Sequence, residues 1–352
     1  MGVAASLTMR GFDRFESLPI DQIVCGDNLE LIRELPNESV DLAITSPPYF
    51  QQRDYGGGMG NEQHVDDYIE KLLSLFCECV RVVKKSGSLV FNVGDKYLDG
   101  SLLLVPYRFA LAAAETGLVK LVNEITWVKR NPTPRQFRRR LVSSTEPFFH
   151  FVKSDRYYYD IDAFLAKSDA PMQAGNKPSS KIGQRYFELI EQSDLSKDEK
   201  KAARRELTEV IQEVRRGETY SFRMKIRGVH AEPFGGQAGG RQLQIKNKGF
   251  TIIRMHGRRL KRDVIETPVA AVKGNKHPAI YPVEIVEEFL HLLTPPGALV
   301  LDPFMGSGST AVACKNMGRR YIGYEINPEY CKDARRRVSD TPHAVYKLFE
   351  RK

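Results

Sequence analysis

The chain has no run of 18 or more apolar residues, so no membrane span is expected. Residues 1–14 hold no apolar stretch behind a basic start, which argues against a secretory signal and for a cytoplasmic, bacterial-type protein. Cysteine is scarce. Cys25, Cys77, Cys79, Cys314 and Cys331 are scattered, odd in number and without zinc-ribbon spacing. Buried thiols are expected instead of a disulfide framework or structural zinc. No Gly-Lys-Ser/Thr is present, which disfavours a phosphate loop of that kind. His64, His150, His230, His256 and His277 stand alone, so no metal centre is expected. No internal repeat is found.

Basic charge is plentiful but uneven. The net charge is +9, and residues 181–262 carry 20 Lys and Arg against 10 Asp and Glu. An excess confined to one segment suits either a polyanion-binding surface or a solvated insertion. Residues 20–165 alternate strand and helix patterns. Strands are expected at 20–25, 40–44, 88–93, 118–128 and 148–153, with helices at 28–35, 66–83 and 106–115. Lys85-Ser86-Gly87 reads as the stop after the second helix. Alternation of this kind predicts an α/β fold with a largely parallel, helix-covered sheet. The pattern breaks after about residue 165. Ser196 and Glu199 form a capping box ahead of a helical stripe from Ala203 to Val214. The glycine-rich and basic stretches at 234–241 and 246–249 read as a mobile loop. Alternation returns with helices at 281–293, 309–317 and 328–338 and strands at 298–301 and 320–324.

Two motifs carry chemistry. Thr45-Ser46-Pro47-Pro48-Tyr49 closes the second strand. An exocyclic amine on a nucleobase is a poor nucleophile, because its lone pair is delocalised into the ring. Acceptors on its two protons shift the nitrogen toward a tetrahedral, nucleophilic form. The Ser46 hydroxyl and the Pro47 carbonyl can supply them, on a turn stiffened by Pro47 and Pro48. Tyr49 can stack on a base swung out of a duplex. The other motif, Asp302 to Thr310, follows a strand and opens a helix. Gly306 and Gly308 permit a tight turn, and backbone N–H groups at the helix start can face a ligand. Glu325, after the next strand, is placed to accept from ribose hydroxyls.

In this order the motifs resemble the β-group of amino-directed DNA methyltransferases, the type found in restriction-modification systems. The likeness covers roughly residues 20–165 and 268–340. Further segments that carry it are Cys25-Gly26-Asp27, Trp127 to Pro132, Thr145 to Phe148, His277 to Pro282 and Gly323-Tyr324-Glu325. The resemblance implies a Rossmann-like, S-adenosylmethionine-dependent methyltransferase fold with permuted motif order. It implies a catalytic half at 1–165, a target-recognition insert at 166–267 and a cofactor half at 268–352. Catalysis is then expected from Ser46, Pro47, Pro48 and Tyr49. Cofactor contacts are expected from Asp27, Thr45, His277, Pro278, Asp302, Phe304, Gly306, Ser307, Gly308, Ser309, Thr310, Glu325 and Asn327. Asp27 would lie near the cofactor adenine, and the segment from His277 would enclose its methionine moiety.

The partner implied is double-stranded DNA, with a companion restriction endonuclease as a candidate second partner and a monomer or homodimer as the assembly. DNA contacts are expected from Arg135, Arg138, Arg139, Arg140, Lys225, Arg227, Arg241, Lys246 and Lys248. Serine at position 46 is most associated in the family with cytosine-N4 transfer, and aspartate with adenine-N6. Cytosine N4 is therefore the expected acceptor and adenine N6 the alternative. No Pro-Cys pair is present, which removes the nucleophile needed for carbon-5 methylation. Asp54 and Asp95 suit either proton removal or a capping role. A DNA-binding module with a decayed site is the rival from outside the enzymes. Protein-glutamine methylation is disfavoured, because its Pro-Pro-Tyr segment follows the cofactor turn.

Overall fold

The computed structural model describes residues 18–53, 58–132, 137–161, 182–216, 218–230, 241–255, 262–269 and 281–342. The chain divides into two compact units, Met1–Phe164 with Lys261–Lys352, and Leu165–Leu260. In chain order the first unit begins with β1 (Gln22–Cys25), α1 (Asn28–Arg33), β2 (Val40–Thr45), α2 (Val65–Val82) and β3 (Val83–Asn92). A short pair follows, β4 (Tyr97–Leu98) and β5 (Ser101–Leu102), then α3 (Val105–Glu115), β6 (Lys120–Lys129) and β7 (Thr145–Val152). The second unit holds α4 (Gln184–Gln192), α5 (Lys197–Arg216), β8 (Ser221–Ile226), α6 (Arg241–Lys248) and β9 (Phe250–Met255). The first unit resumes with β10 (Val264–Thr267), α7 (Val283–Leu293), β11 (Leu299–Asp302), α8 (Ser309–Met317), β12 (Arg320–Glu325) and α9 (Pro328–Asp340).

Eight strands make one sheet in the order β1-β12-β11-β2-β3-β7-β6-β10. All neighbours are parallel except β7, which runs antiparallel to both β3 and β6. The expected α/β sheet therefore forms. Alternation along the strands splits the core between its two faces. Ala43, Leu89, Phe91 and Leu301 pack with α1, α2 and α3 on one face. Leu42, Ile44, Val90 and Val300 pack with α7, α8 and α9 on the other. β2 and β11 are hydrogen-bonded neighbours. From β2 the chain crosses to β3 on one side, and from β11 to β12 on the other. Strands that part in this way leave a crevice at their carboxyl ends, where ligands of open α/β sheets bind. Thr45 and Asp302 end these two strands, so motifs about 250 residues apart in sequence meet there.

Two boundaries differ from the sequence reading. The Lys85-Ser86-Gly87 segment lies inside β3, which starts where α2 ends. A Cβ at Gly87 would stand 2.5 Å from the Asp41 carbonyl oxygen, so this glycine serves close strand approach at a bulge. Residues 264–267, expected within the insert, form β10 on the edge of the large sheet instead. Ile265 packs in the core there, and Trp127 Nε1 donates to Thr267 Oγ1 at 2.9 Å. The second compact unit accordingly ends at Leu260.

That unit has its own core of Ile190, Ala203, Leu207, Val210, Ile211, Met224, Ile226 and Phe250. The expected capping box is present. Ser196 N donates to Glu199 Oε2 at 2.8 Å, and Glu199 N donates to Ser196 Oγ at 3.2 Å. Part of the expected mobile loop is helix, because Ile245 gives α6 a buried anchor; residues 231–240 lie outside the described residues.

Candidate active site

A cavity of 1330 Å³ opens at the carboxyl ends of the parallel strands, walled by the first unit. A single small-molecule pocket occupies about 300–1,000 Å³, so this one has room for two ligands side by side. Ser46, Pro47, Pro48 and Tyr49 line one part of it, and Asp27, Pro303, Phe304, Gly306, Ser307 and Glu325 line another.

The proline-rich turn is held from beneath by Asn92, the wholly buried last residue of β3. Ser46 Oγ donates to Asn92 Oδ1 at 3.1 Å, and Tyr49 OH donates to the same oxygen at 2.7 Å. Asn92 Nδ2 donates to the Pro147 carbonyl at 3.0 Å, which fixes the amide orientation. Once the serine proton is committed to Asn92, the oxygen keeps its lone pairs for an incoming N–H. Tyr49 OH also lies 2.9 Å from Glu146 Oε2, whose other oxygen pairs with Lys129 Nζ. The Lys129 ammonium in turn sits 4.9 Å from the Trp127 ring centroid. Gly94 lies against the Tyr49 ring, where an added Cβ would come within 2.3 Å of two ring carbons.

Beyond the turn, Gly60 N donates to the buried Glu62, and Tyr68 OH donates to the Pro48 carbonyl at 2.9 Å. Asn92, Gly94, Lys129 and Glu146 were given no role from the sequence. The signal for Asn92 was its position, a polar residue closing the apolar run Leu89-Val90-Phe91. Asp95 takes the capping role. Its Oδ1 accepts from Val105 N at the start of α3 at 3.0 Å, although Asp95 also borders the cavity. Asp54 lies outside the described residues.

The glycine turn is built on Asp302, which is wholly buried. Its carboxylate accepts from Thr45 Oγ1 at 2.7 Å, Thr310 Oγ1 at 2.5 Å, Tyr281 OH at 3.2 Å and Phe304 N at 3.1 Å. Burial raises the Asp302 pKa, while these donors pull it back toward the charged form. Burial likewise raises the Tyr281 phenol well above its ordinary range. Gly306 and Gly308 hold positive φ of 49° and 82°, the left-handed conformation the turn requires. Arg337 Nη1 donates to the Ser307 carbonyl at 3.0 Å and to the Ser307 and Ser309 hydroxyls at 3.1 Å.

Glu325 borders the cavity and binds the turn at the same time. Oε2 accepts from Gly306 N and Oε1 from Asn327 N, each at 2.9 Å. Burial raises its pKa above the usual carboxylate range. Asp27 caps α1 through Leu29 N at 2.9 Å and Glu30 N at 3.0 Å, and also faces the cavity. Asn28 Nδ2 donates to the Pro303 carbonyl at 3.0 Å, which ties α1 to the turn.

The cofactor-directed set thus separates into two layers. Asp27, Phe304, Gly306, Ser307 and Glu325 are on the cavity wall. Thr45, Asp302, Ser309 and Thr310 are buried side chains outside that wall, and three of them are joined through the Asp302 carboxylate. Gly308 is the N-cap of α8, and Asn327 caps α9 by accepting from Glu329 N at 2.9 Å. His277 and Pro278 lie outside the described residues.

Of the basic side chains, Arg138 and Arg139 are exposed. Arg140 stacks against Phe137 at 3.7 Å and Tyr97 at 3.9 Å. Arg135 lies outside the described residues. In the second unit Arg227 pairs with Glu199 and Lys248 with Glu206, so their charge is met locally. Arg241 and Lys246 are exposed on α6, with no ion pair or hydrogen bond among the described residues, and Lys225 is half-buried on β8. Among the described residues no His, Cys, Asp and Glu cluster suits a metal ion.

The DNA methylase family profile matches residues 40–336, and the chain belongs to that family. Type II methyltransferase M.SfiI of Streptomyces fimbriatus is 26% identical over 88% of this chain and 88% of its own. Type II methyltransferase M.SmaI of Serratia marcescens is 26% identical over 90% of each chain. The fold is shared with the PvuII DNA methyltransferase (cytosine-N4-specific), at a TM-score of 0.58 and 18% identity, covering 93% of this chain and 89% of that one. It is also shared with a DNA modification methylase of Thermus thermophilus complexed with S-adenosyl-L-methionine, at a TM-score of 0.51 and 19% identity, covering 90% and 94%.

Proposed function

We propose that this DNA methylase is a Type II modification enzyme that transfers a methyl group from S-adenosylmethionine to the N4 amine of cytosine in double-stranded DNA. The observation that carries the reading is the Ser46 hydroxyl, aimed by Asn92 and sharing one cavity with the glycine turn. Bound S-adenosylmethionine supplies a methyl group on a sulfonium, open to in-line displacement by nitrogen. The cavity fits that cofactor: Gly306 keeps its wall free of a side chain, Phe304 offers an apolar face, and Glu325 and Asp27 offer carboxylate acceptors. Glu325 accepts from ribose hydroxyls with the lone pairs left by its two backbone contacts.

The Ser46 oxygen and the Pro47 carbonyl accept the two amine protons, and Tyr49 stacks on the flipped base. The chain contributes proximity, orientation and charge redistribution, without a covalent enzyme–base intermediate. A neutral serine in this position is the family feature that favours cytosine N4 over adenine N6. Arg138, Arg139, Arg241 and Lys246 serve phosphate contacts. Base reading belongs to the second unit, where an exchangeable surface pair such as Arg227–Glu199 can yield to a phosphate. The direct test is transfer of labelled methyl from S-adenosylmethionine to unmethylated duplex DNA. Cofactor binding with no transfer to DNA would sink the reading in favour of a decayed site.

Glu325→Ala is expected to raise the dissociation constant for S-adenosylmethionine by about tenfold or more, from the loss of charge-assisted hydrogen bonds. Isothermal titration reads it, and an unchanged constant removes the ribose role. The ionised carboxylate is the accepting form, and burial raises its pKa. Wild-type affinity should therefore fall on acidification, beginning at a higher pH than for an ordinary carboxylate. Gly94→Ala should displace the Tyr49 ring and lower kcat by about tenfold or more, since small misplacements of a reacting group cost that much. Steady-state kinetics with unchanged kcat would show that the ring position is unimportant.

A further inference from the structure

The cavity mouth carries apolar side chains that the proposed chemistry does not use. β4 and β5 form a hairpin turned by Asp99 and Gly100, both at positive φ, 49° and 82°. Leu98 on this hairpin is 45% exposed, and Leu141, on the segment that precedes β7, is 87% exposed. The two segments are joined by Arg140, whose guanidinium stacks on Phe137 of its own segment and Tyr97 of the hairpin. Leu102 and Leu141 border the same cavity as Ser46. Residues 137–144 include Arg138, Arg139 and Arg140 and no acid, so the apolar tip is flanked by charge that suits a phosphate backbone.

A side chain so exposed gains nothing in the free protein, whereas a base leaving a duplex opens an apolar gap of its own size. Apolar wedges that fill such gaps offset the cost of unstacking. We infer that Leu141 is an intercalating wedge, which enters the base stack of duplex DNA where the target base has swung into the cavity. The hairpin bearing Leu98 braces it through Arg140. This rests on the reading of the protein as a base-flipping DNA methylase.

The test uses the full chain. Sequencing of plasmid DNA methylated by the wild type gives the target site. Two duplexes are then compared, one with the target base paired and one with its partner removed as an abasic position. Leu141→Ala is expected to lower kcat/KM about tenfold on the paired duplex. On the abasic duplex, where unpairing is already done, the loss should shrink to about twofold or less. Leu141→Phe should restore most of the rate. Leu111→Ala, which trims a leucine of α3 that is 63% exposed and lies off the cavity wall, should change nothing. Equal loss on both duplexes, or no loss on either, overturns the wedge. A wild type that methylates no DNA overturns the underlying reading, and the wedge with it.

Discussion

Ser46→Ala lowers kcat by about 100-fold or more and leaves the dissociation constant for S-adenosylmethionine within about twofold. The size follows from what one preorganised hydrogen-bonding group contributes at a reacting centre. The specificity follows from the geometry. Ser46 Oγ is tied to Asn92 and to Tyr49, and no contact joins it to the glycine turn. Single-turnover methyl transfer and cofactor titration separate the two quantities. If cofactor affinity falls as far as turnover, Ser46 shapes the cofactor side, and the assignment of the proline-rich turn to the base is wrong. Alanine also leaves the buried Asn92 carbonyl with one donor, Tyr49, so the turn itself should hold its place.

Asp302→Ala produces the largest loss of stability, roughly 3 kcal/mol, because it strips the acceptor from three hydroxyls and one backbone N–H in a water-free region. Cofactor affinity falls with it, since the Asp302 carboxylate holds β2, α8 and the Tyr281 side chain around the turn. Asp302→Asn keeps one acceptor but brings two donors, and should fall between wild type and alanine. The sign of the pH dependence separates this group from an ordinary paired carboxylate. Burial holds the Asp302 pKa above its unfolded value. Its contribution to stability is therefore fullest at acid pH, and is lost as the pH climbs through the raised pKa. The gap between wild type and Asp302→Asn should narrow over that window. Denaturant unfolding at several pH values measures this, and a gap that widens with pH would show that the hydrogen bonds outweigh burial.

The elements of the first unit were legible because its strands alternate cleanly and its helices carry one apolar face. Leu42 and Ile44 against Ala43, and Leu89 and Phe91 against Val90, give the period of two directly. β10 was illegible, because four residues after a basic run carry too little pattern. Only Trp127 across the sheet edge gives Ile265 and Thr267 a reason to be extended. Gly87 was misread because glycine after a helix looks like a stop. Its actual constraint, the Asp41 carbonyl, lies on another strand.

At the site, the groups that touch the cavity were readable from local motifs, and the groups that orient them were not. Asn92 and Glu146 reach Ser46 and Tyr49 across sequence gaps of 43 to 97 residues. Asp302 announces itself in the motif yet faces inward, away from the ligand it was expected to touch. The basic insert was legible as charge alone. Which cations are already matched, as Arg227, Lys248 and Arg254 are by Glu199, Glu206 and Glu213, depends on packing within the second unit.

The central claim is a methyl group placed on cytosine N4, and the nucleoside product tests it most directly. Unmethylated genomic DNA is treated with enzyme and S-adenosylmethionine, digested to nucleosides and analysed by mass spectrometry with retention standards. The account predicts N4-methyldeoxycytidine. N6-methyldeoxyadenosine would contradict it, and would show that a neutral serine at position 46 does not select the base.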